Sequence, residues 1–255
     1  MNVLTARNFH KLLLTLTVRY RLNYTQPPID YLKSDTAAIF GVGTGIYTIP
    51  DISAILGLPQ AKVKRWLLEY WNARFGKSSG SAFSDGSGRD LVTNFYTLIE
   101  FFAFYQLREE GVSTQKIIKA HQVLEKILQT NYPFAKSNIF TDGKQVLFAG
   151  VVGEIIKADE TLQLTIKEIF EPFCKKVDFN NNHLAERFFP LGKDHKIIID
   201  PKRQFGQPVV GGTNVLTETV FNLFRGGESI EVIVGLYDLT VDQVKDAISF
   251  HRNAA

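Results

Sequence analysis

The sequence has very little cysteine, because Cys174 is the only one among its 255 residues. A single cysteine excludes an internal disulfide and any zinc site that needs several thiolates, and it fits a reducing compartment. Long apolar runs are also missing: the run from Leu12 to Val18 contains threonines and is far shorter than the roughly 20 residues of a membrane span. No small-residue cleavage site accompanies this run, so the sequence predicts a cytoplasmic protein without a signal peptide.

Patterns typical of metal binding or catalysis are absent as well. No two histidines have the helical spacing of a zinc site, and no acidic residues have the spacing of a metal loop. The five histidines are scattered along the chain as His10, His121, His183, His195 and His251. No nucleophile and base can be paired from their spacing alone. We therefore expect no metal, no cofactor and no enzymatic activity.

Charge is unevenly distributed along the chain, although the net charge is only +3. Residues 47–77 contain five basic and two acidic side chains, a net charge of +3. Residues 215–251 contain two basic and six acidic side chains, a net charge of −4. The first region is therefore suited to an anionic partner such as nucleic acid, and the second region is not.

The stretch from Tyr47 to Tyr70 predicts two short helices joined by a tight turn. Thr48 is a suitable N-cap for the first helix, and Asp51, three residues later, completes an acidic variant of the capping box. Gly57 stands where a left-handed residue would end this helix, and Pro59 fits the first position of the next. The pattern is typical of a helix-turn-helix unit.

The second of these helices has an apolar face and a basic face. Apolar residues recur at i, i+3, i+4 and i+7, which predicts a buried stripe of Val63, Trp66, Leu67 and Tyr70. The outer face carries Gln60, Ala61, Lys64 and Arg65, with Lys62 at its edge. We predict that these outer residues bind DNA in the major groove, with Gln60 and Arg65 at base edges and the two lysines at phosphates. The alternative is an ordinary helical hairpin with a solvated charged face.

The whole chain predicts a mainly α fold with small β elements. Its expected parts are an N-terminal extension (1–38), the helix-turn-helix (39–75), a Gly/Ser linker or reduced wing (76–90), a helical hairpin with a mixed α/β region (91–199) and a C-terminal trihelical domain (200–255). The hairpin begins with an apolar helix over 91–109 that ends at Gly111. Ser113 caps its second helix, which residues 131–133 end.

Short strands are expected between the hairpin and the C-terminal domain. A small strand hairpin is predicted over 145–157, an alternating strand over 162–166, and strands at 187–189 and 196–200. In the C-terminal domain, Thr217, Ser229 and Thr240 are the expected caps of three helices, and Thr240 forms a capping box with Gln243.

Two stretches resemble known families. Residues 45–59, together with Val63–Trp66, resemble the MerR-like helix-turn-helix. Residues 200–213, 227–234 and 239–248 resemble a trihelical domain family of formerly unknown function that is typical of VapB-like antitoxins. The predicted hairpin over 91–134 is similar to the linker of such antitoxins. The resemblance covers about residues 39–252.

The resemblance implies an antitoxin of a type II toxin–antitoxin system that represses its own operon and neutralises a PIN-like ribonuclease toxin. The basic unit would bind operator DNA as a homodimer, because one helix-turn-helix reads only a few base pairs. The acidic C-terminal domain would bind the toxin. The candidate contacts on it are Val220, Phe221, Phe224, Arg225 and Arg252, since apolar anchors and a basic plug would suit an acidic active site.

Two other functions stay open at this stage. The first is a MerR-like, ligand-responsive transcription regulator without a toxin partner, in which the Phe-rich helix near residues 95–105 lines a small-molecule pocket. The second is an enzyme that processes nucleic acid. A thermal-shift screen of metabolites would test the first function, and turnover of labelled DNA or RNA with Mg²⁺ or Mn²⁺ would test the second.

Overall fold

The computed structural model of the protein describes residues 41, 43–76, 82–136, 173 and 175–253. All of them belong to the second of the chain's two compact units, Ala38–Ala255. The described residues form a mainly α fold with short strands, as the sequence predicts. The predicted strands over 145–157 and 162–166, the extension 1–38 and Cys174 lie outside the described residues.

The helices and strands are short. The helices are α1 (Ile49–Leu56), α2 (Gln60–Arg65), a π-helix (Trp66–Gly76), α3 (Phe95–Glu109), α4 (Thr114–Leu128), a 3₁₀ turn (Gln204–Gly206), α5 (Thr217–Arg225), α6 (Ile230–Tyr237) and α7 (Val241–Asn253). The strands are β1 (Tyr47–Thr48), β2 (Ser84–Asp85), β3 (Val92–Thr93), β4 (Val177–Phe179), β5 (Ala185–Phe188), β6 (Ile197–Ile198) and β7 (Val209–Val210).

A small antiparallel sheet with strand order β1-β3-β2 lies beside the first two helices. Thr93 of β3 lies opposite Tyr47 of β1 on one side and opposite Ser84 of β2 on the other. The segment between the π-helix and α3 therefore contains a pair of hydrogen-bonded strands, whereas its Gly/Ser composition left a plain linker equally open.

The helix α3 begins later than its apolar composition predicts. Residues 91–94 are not helical, because Val92 and Thr93 belong to β3. Asn94 is the N-cap, and its side-chain oxygen accepts a hydrogen bond from the Thr97 backbone N–H at 3.0 Å. The helix α4 also ends earlier than predicted, at Leu128, because Gln129 adopts a left-handed conformation and closes it.

The core of this part of the molecule is aromatic. Two tryptophans of the π-helix pack edge-to-face against two phenylalanines of α3, with ring centroids 4.4–5.9 Å apart; these rings are Trp66, Trp71, Phe101 and Phe104. All four side chains are buried. Edge-to-face pairs of this kind stabilise a core beyond the burial of their apolar area. Phe101 and Phe104 of the Phe-rich helix therefore pack against tryptophan rings of the π-helix, in the region where a small-molecule pocket was one expectation.

The C-terminal helices follow the predicted capping pattern with one exception. Ser229 caps α6, and Thr240 and Gln243 exchange the two hydrogen bonds of a capping box at the start of α7. Thr217 is not the cap of α5, because Leu216 holds that position. The Thr217 side chain is buried instead, and its hydroxyl lies 2.9 Å from Nε2 of His251 on α7.

The C-terminal helices are joined to the rest of the unit by backbone pairing. Ile199 and Phe188 exchange backbone hydrogen bonds of 2.8 and 2.9 Å, which connects the region before α5 to β5. The strands β6 and β7 pair antiparallel, with Ile197 opposite Val210. Ile197, Ile199 and Val210 are all buried. A deletion that begins near residue 197 would therefore remove core side chains as well as the helices.

Candidate nucleic-acid interface and partner-binding surface

The capping box of α1 and the left-handed turn at Gly57 have the geometry that the sequence predicts, whereas the start of α2 is shifted. The Asp51 carboxylate accepts a hydrogen bond from the Thr48 backbone N–H at 2.8 Å, and the Thr48 hydroxyl accepts one from the Asp51 N–H at 3.3 Å. Gly57 has a φ of 63°, where a side chain would be strained. Pro59 is the N-cap of α2 and not its first residue, so α2 starts one position later than predicted.

Four of the five predicted DNA-binding residues lie exposed on the outer face of α2, namely Gln60, Ala61, Lys64 and Arg65. The predicted stripe on the other face is buried at Val63, Trp66 and Leu67, and partly buried at Tyr70. This contrast between the two faces fixes the rotation of the helix. The basic face therefore points away from the core.

Lys62 differs from its neighbours. Its ammonium group lies 5.3 Å from the centroid of the Trp66 ring and 5.6 Å from that of Tyr105. Both distances are within the range of cation–π attraction, so Lys62 packs along the aromatic core while Lys64 and Arg65 stay exposed. The sequence placed Lys62 at the edge of the outer face, and this packing could not be predicted without knowing that Tyr105 is near.

The helix after Arg65 continues with the wider turns of a π-helix, which changes the set of buried residues. Trp71 and Phe75 are buried, whereas Arg74 is exposed. An α-helical continuation of the stripe from Tyr70 would have placed position 74 on the buried face. The wider turn shifts burial by one residue and packs Trp71 against Phe101. Leu68 lies off the buried stripe and is 40% exposed.

The strands β2 and β3 form a small hairpin next to the π-helix. Nδ2 of Asn72 donates a hydrogen bond of 2.7 Å to the Ser84 hydroxyl, and the Thr93 hydroxyl donates one of 2.5 Å to the Phe83 carbonyl. Phe83 is buried and contacts the Tyr132 ring at 5.4 Å. The loop that connects the two strands carries exposed Arg89. The hairpin is thus held at its base, and its loop carries exposed Arg89 directly before exposed Asp90.

A buried pair of titratable side chains, Glu100 and His121, lies between α3 and α4. Oε2 of Glu100 is 2.9 Å from Nε2 of His121, and both side chains are fully buried. The two groups are not aligned as a regular hydrogen bond. The other Glu100 oxygen accepts hydrogen bonds from the backbone N–H groups of Phe134 and Ala135. Burial raises the pKa of Glu100, and the contact with His121 opposes that shift.

The structure corrects one of the predicted partner contacts. Val220 is fully buried in the C-terminal core and therefore presents no surface to a partner. Phe221 is half-buried and stacks on the His251 ring at 5.0 Å. Arg225 is exposed, and its guanidinium lies 5.8 Å from the Phe221 ring centroid.

The other two predicted contacts, Phe224 and Arg252, lie together. The Arg252 guanidinium is 5.2 Å from the Phe224 ring centroid. Both residues line a groove of about 310 Å³ between α5, α6 and α7, together with Ile230, Lys245, Ile248 and Ser249. The groove combines an apolar floor with two cations in an otherwise acidic domain. An acidic or mixed acidic and apolar segment would suit it.

A second exposed surface on this domain was not predicted from the sequence. Val232 and Leu236 lie one turn apart on α6 and are 45% and 61% exposed, and Val241 at the start of α7 is 44% exposed. Glu231 and Asp242, both exposed, lie in the same helices. Helical spacing could have suggested this surface, because Val232 and Leu236 are four residues apart and share one face of α6, while buried Ile233 lies about 100° away round the helix.

Among the described residues, no group of three or more His, Cys, Asp or Glu side chains is arranged to hold a metal ion. Within the same residues, no helix has both the length and the apolar character needed to cross a membrane.

Comparisons with known proteins place the chain beside an antitoxin. A family model described as "Protein of unknown function (DUF433)" matches residues 197–251, from β6 into α7. "Putative antitoxin VapB45" of Mycobacterium tuberculosis (strain ATCC 25618 / H37Rv) is 27% identical over 221 residues, which cover 80% of this chain and 92% of that protein. "Uncharacterized protein Rv2308" of the same strain is 22% identical over 233 residues, covering 87% of this chain and 96% of that protein.

A crystal structure provides a match to the fold. The X-ray structure of Rv2018 from Mycobacterium tuberculosis has a TM-score of 0.63 and 24% sequence identity, covering 83% of this chain and all of that one. The chain therefore shares its fold with Rv2018, and it is similar in sequence to a protein named as an antitoxin over most of both lengths.

Proposed function

We propose that the protein is a DNA-binding antitoxin that represses its own operon and neutralises a PIN-like ribonuclease toxin. The observation that carries the DNA-binding half is the exposed row of Gln60, Lys64 and Arg65 on a helix whose opposite face is buried. The similarity to "Putative antitoxin VapB45" supports the antitoxin half.

In this proposal α2 lies in the major groove of the operator. The guanidinium of Arg65 and the amide of Gln60 would hydrogen-bond to base edges, and the ammonium of Lys64 would contact a phosphate. The helix is held in place by the aromatic core, because the π-helix directly follows it and packs Trp66 and Trp71 on α3. A rigidly held helix loses little conformational freedom on binding, which favours affinity.

The hairpin of β2 and β3 acts as a reduced wing in the same proposal. Its loop carries Arg89, which is exposed and suited to a phosphate beside the groove that α2 occupies. Because exposed Asp90 follows Arg89 in this loop, the contribution of the hairpin to DNA affinity is minor. The unit 39–75 and the hairpin of β2 and β3 then together form the DNA-binding part, and 200–255 forms the toxin-binding part.

The C-terminal helices are proposed as the toxin-binding surface because their charge disfavours DNA. Phosphate attraction supplies most of the non-specific affinity of DNA-binding proteins, and residues 215–251, with a net charge of −4, lack it. The groove with Phe224 and Arg252 and the exposed apolar residues of α6 offer the anchors of a protein contact.

Binding to a labelled fragment from upstream of the protein's own gene tests the DNA-binding half. Replacing Lys64 and Arg65 together by alanine should weaken binding at least about tenfold, because a base contact and a phosphate contact are both lost. The matched control is the Lys119→Ala, Lys126→Ala double variant, which removes two exposed cations from α4. Retarded mobility that is unchanged in the α2 variant would refute the assignment.

Co-expression with the product of the adjacent gene tests the toxin-binding half. Substitutions are preferable to a deletion, because residues 197–210 contribute to the core. Leu236→Ala combined with Arg252→Ala should reduce co-purification and growth rescue. Leu68→Ala with Arg74→Ala is the matched control, since it also removes an exposed apolar side chain and an exposed arginine. Equal loss in both double variants, or in neither, would contradict the proposed surface.

A further inference from the structure

The 3₁₀ turn before β7 has an unusual backbone. Gln204, Phe205 and Gly206 have consecutive φ angles of 46°, 54° and 85°. Glycine adopts such left-handed conformations freely, whereas they are rare for bulky residues. Phenylalanine is among the residue types least suited to a positive φ, so the presence of Phe205 in this turn requires an explanation.

The backbone of this turn holds the start of β1 in place. The Phe205 carbonyl accepts a hydrogen bond of 2.9 Å from the Ile46 N–H. Gly206 lies so close to the buried Tyr47 hydroxyl that an added Cβ would be only 2.2 Å from it. Nε2 of Gln204 donates a hydrogen bond of 3.1 Å to the Asn214 carbonyl. None of these contacts uses the Phe205 ring, and a residue that tolerates left-handed backbone, such as asparagine, would serve them as well.

The ring itself faces solvent. Phe205 is 76% exposed, and Ile46, to which its carbonyl is hydrogen-bonded, is 44% exposed. We call these two side chains the Phe205 patch. Strained residues that persist in a fold cluster at binding and functional sites, and this one displays a large apolar ring. The strain and the exposure together indicate a contact surface.

The patch lies at the end of the small sheet that is far from the β2–β3 loop. Tyr47 pairs with Thr93 and Thr48 pairs with Val92, so Ile46 lies beyond the Thr93 end of β3. The loop with Arg89 leaves β3 at its other end. A partner on the Phe205 patch would therefore leave this loop free.

The charges beside the patch are balanced. Nζ of Lys202 is 2.8 Å from the Glu186 carboxylate, and Nε of Arg203 is 3.6 Å from that of Asp200. A surface whose neighbouring charges are paired in this way does not repel a copy of itself. The exposed apolar surface of α6 differs, because its neighbours Glu231 and Asp242 would face equal charges in a symmetric contact.

We propose that the Phe205 patch is the dimer contact, and that its occupant is the same patch of a second copy of the chain. In a two-fold contact one surface meets itself, which a charge-balanced apolar patch permits. Only the biological purpose of the dimer rests on the proposed DNA-binding function, because two DNA half-sites require two helix-turn-helix units. Self-association itself is measured without DNA or toxin.

Sedimentation velocity of the full chain across nanomolar to micromolar concentrations tests the proposal. The wild type should sediment as a dimer of the 28.8 kDa chain. Phe205→Asn should raise the dimer dissociation constant by about tenfold or more, as expected when an aromatic anchor is removed. The melting temperature of the same variant, measured at a concentration where both proteins are monomeric, should be equal to or higher than that of the wild type. If Phe205 served only to stabilise the folded monomer, its replacement would lower the melting temperature. A weaker dimer with an equal or higher melting temperature therefore indicates a role in the dimer contact.

Leu236→Asn is the matched control, because it also removes an exposed large apolar side chain, 61% exposed, and lies on α6. It should leave the dimer unchanged. A wild type that stays monomeric at micromolar concentrations, or a Phe205→Asn variant that dimerises as tightly as the wild type, would overturn the proposal. An intact dimer that fails to bind promoter DNA would instead count against the proposed DNA-binding function.

Discussion

The helix pair α1–α2 and the helix pair α6–α7 share two local structural features and lie in regions of opposite net charge. Each pair has a capping box with threonine as the first member, Thr48 with Asp51 and Thr240 with Gln243. Each pair turns through a left-handed residue, Gly57 in the first and Asp238 in the second. The first pair has an exposed basic face, whereas the second lies in a region with a net charge of −4.

A helix-turn-helix arrangement therefore defines a shape but does not by itself determine which partner binds to it. Function resides in the side chains that the shape presents. Lys64 and Arg65 occupy exposed positions of α2, while exposed Val232 and Leu236 occupy α6. The first set suits phosphates and base edges, and the second suits another protein. The predictions below test this division from the largest expected effect to the smallest.

Removal of a core side chain should reduce DNA affinity when it lies next to α2 and should leave DNA affinity unchanged when it lies in the C-terminal helices. Trp71→Ala should lower the free energy of unfolding by about 3–5 kcal/mol, because a buried ring that packs on Phe101 and Phe104 is lost. It should also weaken DNA binding, since α2 loses its support. Ile233→Ala, in the core of the C-terminal helices, should lower stability while DNA affinity is kept. Chemical denaturation and anisotropy on promoter DNA measure the two quantities, and equal losses of DNA affinity would contradict the comparison.

Local chemistry was enough to predict the parts of the fold that depend on neighbours in sequence. The capping boxes, the left-handed Gly57 and the two faces of α2 all follow from residues three or four positions apart. The buried position of Val220, the packing of Lys62 on Tyr105 and the contact between Glu100 and His121 could not be predicted, because each depends on residues distant in sequence. The π-helix shifts burial from position 74 to positions 71 and 75 for a similar reason, since packing on α3 overrides the local α-helical period.

The contact between Glu100 of α3 and His121 of α4 is fully buried, whereas the contact between His195 and Asp246 near the C-terminal helices lies at the surface. Burial raises the folded-state pKa of Glu100 above its ordinary 4.5. Between these two pKa values the folded protein binds more protons than the unfolded one, so this group's contribution to stability falls as the pH rises above 4.5.

The variant Glu100→Gln isolates this effect, because its amide oxygen still accepts the Phe134 and Ala135 hydrogen bonds. The unfolding free energy of the wild type minus that of the variant should fall as the pH rises above 4.5. Denaturation across this pH range provides the measurement. A difference that grows with pH would mean that the contact with His121 outweighs burial. Burial also raises the pKa of Glu125, and the charge of Glu100 adds to that shift. The variant loses this addition, which acts in the same direction as the loss of Glu100 itself.

The two capping boxes offer the most direct matched pair. Thr48→Ala and Thr240→Ala should each lower the free energy of unfolding by about 1 kcal/mol, since each removes the side-chain acceptor of a helix N-terminus. Only the first should reduce affinity for promoter DNA, because only α1 and α2 are expected to bind it. A similar loss of DNA affinity in the Thr240 variant would remove the distinction between the two regions.

The smallest effect is expected within α2 itself. Lys62→Ala should change DNA affinity by less than Lys64→Ala, because the Lys62 ammonium packs on the Trp66 and Tyr105 rings while Lys64 is exposed. The cation–π contact should contribute about 0.5–1 kcal/mol to stability. Anisotropy and thermal unfolding of both variants measure this, and a stronger DNA defect in the Lys62 variant would show that the side chain leaves the rings on binding.

The salt dependence of DNA binding tests the division of labour most directly. Affinity for the promoter fragment is measured against salt concentration for the wild type and for two single variants, Lys64→Ala and Lys245→Ala, which remove one exposed lysine from each region. Lys64→Ala should reduce the slope of log affinity against log salt by about one, because one phosphate contact is lost. Lys245→Ala should leave the slope as it is in the wild type. Equal slopes for the two variants, or a reduced slope for Lys245→Ala alone, would contradict the assignment of DNA binding to α2.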